Sequence, residues 1–215
     1  MIDLHELVKR RGTRAVADAL CLRVRPGETL AINGPSGSGK TTLLRLIAGL
    51  ELPDSGQIRI GGKSVDFHDA VHTRGIAFLF QSAALWPHMS VASNIMFGIH
   101  DQPMAWRQTR MLELLNRVGL AQFADRRPDS LSGGEARRIA LARALAPQRP
   151  ILLLDEPTSN LDAELRAQIL ALIAQEREAH GTTIVLATHE HSDAARLADR
   201  CLTLRNGHLT EGMAP

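Results

Sequence analysis

The feature that most constrains this chain is a glycine-rich loop, Gly34-Pro35-Ser36-Gly37-Ser38-Gly39-Lys40-Thr41. It fits the pattern G-x-x-x-x-G-K-[ST], in which backbone N–H groups and a helix N-terminus converge on phosphate oxygens. Residues 29–32 before it are a short apolar, β-compatible run, and residues 42–49 after it have helical spacing with a glycine at the end. Because strand, loop and helix follow in the required order, the sequence predicts a nucleotide phosphate site.

Two side chains at the end of this loop have the chemistry that a magnesium nucleotide needs. We expect Lys40 to reach the β- and γ-phosphates, and the hydroxyl of Thr41 to ligate the Mg²⁺ that bridges them. The alternative, a chance Gly/Ser loop, is disfavoured by the flanking strand and helix. The predicted nucleotide-binding residues of this segment are Gly34, Pro35, Ser36, Gly37, Ser38, Gly39, Lys40, Thr41 and Thr42.

Composition excludes several classes of protein. The 215 residues suffice for one large domain or two small lobes, and a net charge of +2 gives no reason to expect a nucleic-acid partner. No apolar run approaches the roughly 18 residues of a membrane span, and Asp18 interrupts what could pass for a signal peptide. We therefore expect that any work at a membrane depends on another chain to span it. Cys21 and Cys201 are expected to be buried, reduced thiols, consistent with the cytoplasm.

The first third of the chain predicts a small β layer beside the nucleotide. Residues 2–8 and 17–24 alternate in part and are separated by a polar stretch, which suggests an antiparallel pair. A turn at residues 53–56 leads into residues 57–60, which alternate as a half-exposed strand.

The middle of the chain predicts a change from sheet to helix. Residues 76–80 are a continuous apolar run that ends at Gln81, the pattern of a strand buried on both faces of a parallel sheet. From Ser90 to about Ala146 the spacing is mostly helical, with an apolar set that ends at Gly119. That set is Met111, Leu112, Leu114, Leu115 and Val118. We therefore expect a helical lobe inserted after Gln81.

The chain returns to the sheet at residues 151–154, four apolar residues that run into Asp155 and Glu156. A carboxylate at a strand end beside a phosphate loop can hold Mg²⁺, directly or through water, while its neighbour orients or deprotonates the attacking water. A helix from about residue 163 to 179 and a last buried strand, residues 182–187, then lead to His189. A hairpin with an Asn-Gly turn closes the sequence.

A second helix start carries glycines. Leu131-Ser132-Gly133-Gly134-Glu135 precedes a long predicted helix, and a glycine-bearing helix N-terminus is again a phosphate-binding end. The alternative is an ordinary Ser132 N-cap with Glu135 in the capping-box position, and both can hold at once.

These segments occur in the order and approximate spacing of one family. The chain resembles the ATP-binding subunits of ABC transporters over essentially its whole length. The segments that carry the resemblance are the loop at 34–41, Gln81, Leu131 to Glu135, Ile151 to Glu156, Ser159-Asn160-Leu161-Asp162 and His189. Leu-Ser-Gly-Gly downstream of a phosphate loop is the most specific of these signals. The fold class that follows is α/β: a P-loop NTPase core with a mostly parallel sheet, an N-terminal antiparallel β subdomain and an inserted helical subdomain.

The resemblance implies a single nucleotide-binding domain, residues 1–215, with a core lobe of residues 1–81 and 150–215 and a helical lobe of about residues 82–149. It also implies a dimer, with itself or with a related ATPase, in which ATP lies between the 34–41 loop of one chain and the signature residues of the other. The signature residues are Leu131, Ser132, Gly133, Gly134 and Glu135.

The resemblance also assigns roles around ATP and Mg²⁺. Glu156 is the implied general base, with Gln81 as a sensor near metal and water and His189 as a γ-phosphate contact. The implied Mg²⁺ ligands are Thr41, Gln81 and Asp155, and Asp162 is placed in a loop that crosses the dimer interface. A metal site at His189-Glu190-His191 is the alternative for that histidine, but the sequence offers no third ligand nearby.

One position departs from the family. An aromatic residue usually stacks on adenine after the first strand, and here Arg11 stands in its place. A guanidinium can stack on a purine, so Arg11 is a possible substitute, and a solvated surface charge is the equal alternative.

The segment after Gln81, Leu85 to Val91, resembles that of importer ATPases, where it lies near the groove that receives a helix of the membrane subunit. Trp86 is therefore either a partner contact or a core residue. The resemblance implies an ATPase at the cytoplasmic face of the inner membrane, with permease subunits and possibly a solute-binding protein as partners. An exporter or lipid-extraction ATPase, and a non-transport ATPase acting on ribosomes or DNA, stay open. With the sequence ending at Pro215, we expect no additional regulatory domain.

Overall fold

A computed structural model describes residues 1–66, 71–159 and 161–212. The strands are β1 Ile2–Arg11, β2 Arg14–Val24, β3 Thr29–Asn33, β4 Ser55–Ile60, β5 Lys63–Ser64, β6 Ile76–Leu79, β7 Ile151–Asp155, β8 Thr183–Ala187, β9 Arg200–Arg205 and β10 His208–Glu211. The helices are α1 Lys40–Ala48, α2 Val91–Phe97, α3 Met104–Arg117, α4 Gly133–Leu145, α5 Ala163–His180 and α6 His191–Leu197.

Two sheets form the scaffold. An antiparallel sheet has the order β2-β1-β4-β5, and a larger sheet has the order β10-β9-β3-β8-β7-β6. In the larger sheet every neighbouring pair from β9 to β6 is parallel, and only the terminal hairpin β9–β10 is antiparallel. The predicted fold class, a mostly parallel sheet with an N-terminal antiparallel β layer, is confirmed.

The central strands explain why the sheet is stable. All five residues of β3, of β7 and of β8 are buried, as expected for parallel strands covered on both faces. Along β7, Ile151 and Leu153 pack with α1 and the antiparallel sheet, and Leu152 and Leu154 pack with the helices on the other side. This period of two places a separate apolar core on each face of the sheet.

The prediction that residues 76–80 are buried on both faces was wrong. The strand β6 is parallel as expected, but it is the outermost strand of its sheet, and Ile76 and Phe78 are only half-buried. An apolar run indicates a strand but not its place in the sheet. In the described part of the chain, no strand pairs with the outer edge of β6.

The segment from residue 90 to 146 is mostly helical, as predicted, with α2, α3 and α4 packed on one face of the sheet. The helix α3 is followed by Gly119, whose φ of 70° is left-handed. Four of the five predicted apolar residues on this helix and its end are buried, whereas Leu112 is 48% exposed. It lies on the outer face of the helix, one position from the buried Met111.

The prediction for the two cysteines is half right. Cys201 is buried in β9, where burial raises the pKa of its thiol and its Sγ accepts a hydrogen bond from Asn33 Nδ2 at 3.0 Å. Cys21 is exposed, because it occupies an outward-facing position of β2 between the buried Leu20 and Leu22. Within the described residues, no helix combines the length and the apolar character that crossing a bilayer requires.

Candidate nucleotide-binding site

The predicted phosphate loop lies between the buried strand β3 and the N-terminus of α1. Gly34, Gly37 and Gly39 have φ of 152°, 78° and 109°, values that favour glycine. A Cβ at Gly34 would lie 2.6 Å from the carbonyl oxygen of Leu204, and one at Gly39 would lie 2.5 Å from Cγ1 of Val16. Both the backbone conformation and the surrounding atoms therefore require glycine in the loop.

Lys40 lies inside the curve of this loop. Its side chain is largely buried, and Nζ donates to the carbonyl oxygens of Gly34 at 2.7 Å and of Pro35 at 3.3 Å. Burial lowers the pKa of Lys40, while the nearby carboxylates of Glu156 and Asp155 act in the opposite direction. The ammonium group is thus held at the loop by carbonyl groups that an anionic ligand can replace.

The carboxylate of Asp155 meets the loop at the end of β7. Thr41 Oγ1 donates to its Oδ1 at 3.1 Å, and the residue is 1% exposed. Burial raises the pKa of Asp155, against the hydrogen bond from Thr41. Within the described residues, its Oδ2 is buried without a hydrogen-bond partner, which a buried carboxylate rarely tolerates. Oxygen atoms arranged in this way suit a hard divalent cation such as Mg²⁺.

Glu156 is the centre of a three-residue cluster. Its Oε2 accepts a hydrogen bond from Gln81 Nε2 at 3.2 Å, and its Oε1 lies 3.1 Å from His189 Nδ1. The three residues follow β6, β7 and β8, whose carboxyl ends meet at one edge of the sheet, where ligands bind in open α/β folds. The structure therefore brings together the predicted base, sensor and histidine.

Gln81 and Glu156, but not His189, line a cleft of about 360 Å³, within the size range of ligand sites. Its lining residues are Arg11, Arg14, Val16, Ser36, Gly37, Gly39, Lys40, Thr41, Thr42, Gln81 and Glu156. Arg11 lines the cleft, and its Nη2 donates to Glu51 Oε2 at 2.7 Å. Arg14 and Val16 were not predicted, because neither belongs to a motif and arginine is common in this chain.

The signature residues lie away from this cleft. Ser132 Oγ accepts from the backbone N–H of Glu135 at 3.3 Å, and Glu135 Oε2 accepts from the N–H of Ser132 at 2.7 Å, so the predicted capping box is confirmed. The backbone hydrogen bond from Ser132 lowers the pKa of Glu135. Among the described residues, a Cβ at Gly133 would meet nothing within 4 Å, and one at Gly134 would meet only Leu161 Cδ2 at 3.8 Å. The glycine face of α4 is therefore open.

Two further predicted residues have structural roles of their own. Asp162 is the N-cap of α5, and its Oδ1 accepts from the N–H of Leu165 at 2.9 Å; Asn160 lies outside the described residues. His189 and His191 face different neighbours, because the Nδ1 of His191 lies 3.5 Å from Asn33 Nδ2. Over the described ranges, no group of three His, Cys, Asp or Glu side chains could hold a metal ion.

Trp86 lies in a second groove, of about 400 Å³, which residues of β6 line together with residues at the ends of α2 and α4. The residue is half-buried rather than part of either core, so the alternative of a core residue was wrong. Its ring lies 4.5 Å from that of Phe97, which is 47% exposed, and the guanidinium of Arg143 lies 4.8 Å from its centroid. The groove is apolar with a cationic edge.

Comparison with known proteins identifies the family. The family model described as ABC transporter matches residues 17–159. The chain is 41% identical to the xylose/arabinose import ATP-binding protein XacJ of Haloferax volcanii, covering 100% of this chain and 56% of that protein. It is 43% identical to the sulfate/thiosulfate import ATP-binding protein CysA of Rhodopseudomonas palustris, covering 100% of this chain and 63% of that protein.

A solved structure agrees with these relatives. The fold superposes with a TM-score of 0.92 and 31% identity on the ATP-binding cassette MJ0796, a dimer in a post-hydrolysis state with ADP and Pi bound, covering 100% of this chain and 98% of that one. The chain thus spans 56% and 63% of the length of the two curated relatives and nearly all of the solved cassette. On these matches, the chain belongs to the ABC transporter family of ATP-binding proteins.

Proposed function

We propose that this chain is the ATP-hydrolysing subunit of an ABC importer, and that it works as a dimer with ATP bound at the interface. The observation that carries the proposal is the placement of Glu156 between Gln81 and His189, next to a buried Asp155 oxygen without a partner among the described residues. The import ATP-binding relatives support the same assignment.

The residues of the cleft divide the chemistry between them. The N–H groups of the 34–41 loop and Lys40 would bind the phosphates, and Thr41, Gln81 and Asp155 would hold Mg²⁺, which neutralises charge on the phosphate oxygens. Glu156 would accept a proton from the water that attacks the γ-phosphorus, as the bond to the bridging oxygen of ADP breaks. His189 fixes that carboxylate on one side, and Gln81 fixes it on the other.

The dimer follows from the open glycine face of α4. The helix begins at Gly133. Neither the helical backbone conformation of this residue nor its described neighbours in the same chain require a glycine there. A helix N-terminus with accessible N–H groups binds anions, so the γ-phosphate of ATP held by a second chain is the proposed ligand. Asp162 would lie in the loop at this interface. The dimeric state described for MJ0796 supports this arrangement.

The groove at Trp86 is the proposed docking site for a permease. Its apolar floor, the exposed Phe97 and the guanidinium of Arg143 suit an amphipathic helix with an acidic end. On this proposal the chain is peripheral, at the cytoplasmic face of the membrane, and a solute-binding protein on the far side supplies specificity. The chain is a single nucleotide-binding domain, with residues 1–81 and 150–215 as the core lobe and about 82–149 as the helical lobe.

Phosphate release at rising protein concentration tests the ATPase assignment. Because two chains complete each site, the specific activity of the isolated chain should rise with concentration, and Lys40→Ala should abolish it. A specific activity that stays constant as the chain is diluted to a monomer would contradict the dimeric mechanism. Absence of any Mg²⁺-dependent hydrolysis would contradict the ATPase assignment itself.

Co-purification with a permease tests the transport assignment. The permease that this chain is proposed to serve should retain it in detergent, and Trp86→Ala should weaken retention at least about 10-fold, as loss of an aromatic anchor does. The exposed Trp106, outside the groove, offers a matched control. Trp106→Ala should bind as the wild type does, and equal retention of the two variants would contradict docking at this groove.

A further inference from the structure

Arg137 makes a set of contacts that neither the 34–41 loop nor the signature residues account for. It lies in the second turn of α4, two residues after Glu135, the last of the signature residues, and is only 5% exposed. Its Nη1 donates to the carbonyl oxygens of Phe80, at 2.8 Å, and Gln81, and its Nη2 donates to those of Asp155, at 2.6 Å, and Glu156. One guanidinium thus contacts the backbone of both catalytic segments.

The position of these carbonyl groups explains why an arginine fits. The strands β6 and β7 are parallel neighbours, and their paired register ends at Leu79 and Leu154. The guanidinium bridges the chain segments that follow, with two donors toward each. A planar fork can make four such hydrogen bonds at once, whereas an ammonium group acts as a point charge with three donors.

Glu156 is the contact with the clearest consequence. Its φ of 51° is left-handed, a conformation that a residue other than glycine adopts only when the surroundings enforce it. Its N–H donates to the carbonyl oxygen of Ala187 at 2.9 Å, and its own carbonyl oxygen accepts from Arg137. The backbone is therefore held on both sides in the conformation that aims the carboxylate at Gln81 and His189.

We infer that Arg137 is a positioning residue for ATP hydrolysis, which holds the backbones of Gln81 and Glu156 in their catalytic arrangement and ties them to the signature end of α4. A phosphate bound at that helix end would then affect the position of the catalytic carboxylate of the same chain. The assignment rests on the proposed function. It also accounts for a buried cation, whose desolvation is only partly offset by the nearby carboxylates of Asp155 and Glu156.

Arg137→Lys tests the inference, with Arg138→Lys as a matched control. Arg138 is the next residue of the same helix, and its Nη1 donates to the carbonyl oxygen of Val118, away from the catalytic segments. We expect Arg137→Lys to lower kcat at least about 10-fold, since small displacements of a reacting group cost this much or more. The Kd for ATP should stay within about 2-fold, and Arg138→Lys should match the wild type in both.

Hydrogen exchange provides a readout that needs no catalysis. In the nucleotide-free chain, Arg137→Lys should raise exchange in the segments after Gln81 and after Glu156 but not in the buried strand β3, and Arg138→Lys should leave all three unchanged. If the wild-type chain has no ATPase activity, the proposed function is refuted, whereas the hydrogen-exchange test of Arg137 still applies. Wild-type kcat in Arg137→Lys, a parallel loss of kcat and ATP affinity, or unchanged exchange at both segments would overturn the inference.

Discussion

The two glycine-bearing helix ends of this chain differ in what lies around them. At α1 the loop is enclosed: Lys40 contacts loop carbonyls, Thr41 contacts Asp155, and a Cβ on Gly34 or Gly39 would collide with neighbouring atoms. At α4 a capping box satisfies the backbone N–H groups of Ser132 and Glu135, while the glycine face meets open space within the described part of the chain. The first end is built by the fold of one chain, and the second is free to meet another, which makes the proposed site a shared one.

Glu156→Gln should have the largest effect on this arrangement. Removing the proposed general base should lower kcat by about 10²- to 10⁴-fold, while ATP affinity persists because the loop is untouched. Phosphate release and equilibrium ATP binding measure the two quantities. Glu190→Gln, a change at a neighbouring carboxylate 3.7 Å from His189 Nε2, is the control and should keep most of the activity. Equal losses in the two variants would remove Glu156 from its assigned role.

Changes at the two helix ends should separate binding from hydrolysis. Lys40→Ala should weaken ATP binding by about 10- to 100-fold, the cost of losing a charge-assisted contact. Gly133→Leu should leave binding and melting temperature near those of the wild type, because the chain leaves room there, but should lower kcat at least about 10-fold by blocking the partner's phosphate. Gly98→Leu, at another helix end with ordinary φ, is the control. Full activity in Gly133→Leu would contradict a shared site.

Asp155→Asn should stabilise the empty chain. Since burial raises the pKa of Asp155, ionisation of this carboxyl lowers the free energy of unfolding. This cost is absent below the ordinary pKa of aspartate, and it grows as the pH rises through the raised pKa. At pH 8 without nucleotide or metal, the variant should melt about 2–4 °C higher, as about 1 kcal/mol does in a chain of this size, and the gain should shrink on acidification.

Ligands should reverse that order. With ATP and Mg²⁺ the wild type should gain more in melting temperature than Asp155→Asn, because the variant lacks a carboxylate for the metal. The half-buried Asp18, changed to Asn, should alter the melting temperature little at either pH. A variant that melts below the wild type at pH 8, or that gains as much from Mg²⁺-ATP, would contradict the assigned role of Asp155.

Arg11→Ala should have the smallest effect. If the guanidinium stacks on the base, ATP affinity should fall about 2- to 5-fold, and GTP affinity should fall with it, since a cation discriminates weakly between purines. The neighbouring Arg10→Ala should change neither. No change in either affinity would assign Arg11 to its ion pair with Glu51 and remove it from the site.

The sequence predicts the parts of the site that lie in contiguous motifs. The 34–41 loop, the carboxylates after β7 and the position of His189 follow from short runs whose residue types determine both conformation and chemistry. Their convergence follows as well, because parallel strands end at the same edge of a sheet.

Contacts between distant segments could not be predicted in this way. Arg137 reads as a surface residue of an arginine-rich helix, and only the fold brings it to the ends of β6 and β7. The predictions for β6 and for Cys21 failed for related reasons. An apolar run does not specify the order of strands in a sheet. The face to which a strand residue points depends on the pairing register, which bulges shift.

The central claim, one site shared by two chains, is tested most directly by the mass of Glu156→Gln in solution. With saturating ATP the variant binds nucleotide but cannot hydrolyse it, so the chains should stay closed together. Sedimentation or sizing with light scattering should then give twice the 23.4 kDa of the chain, and Gly133→Leu in the same background should return it to the monomer. A Glu156→Gln chain that is saturated with ATP and still monomeric would contradict the account.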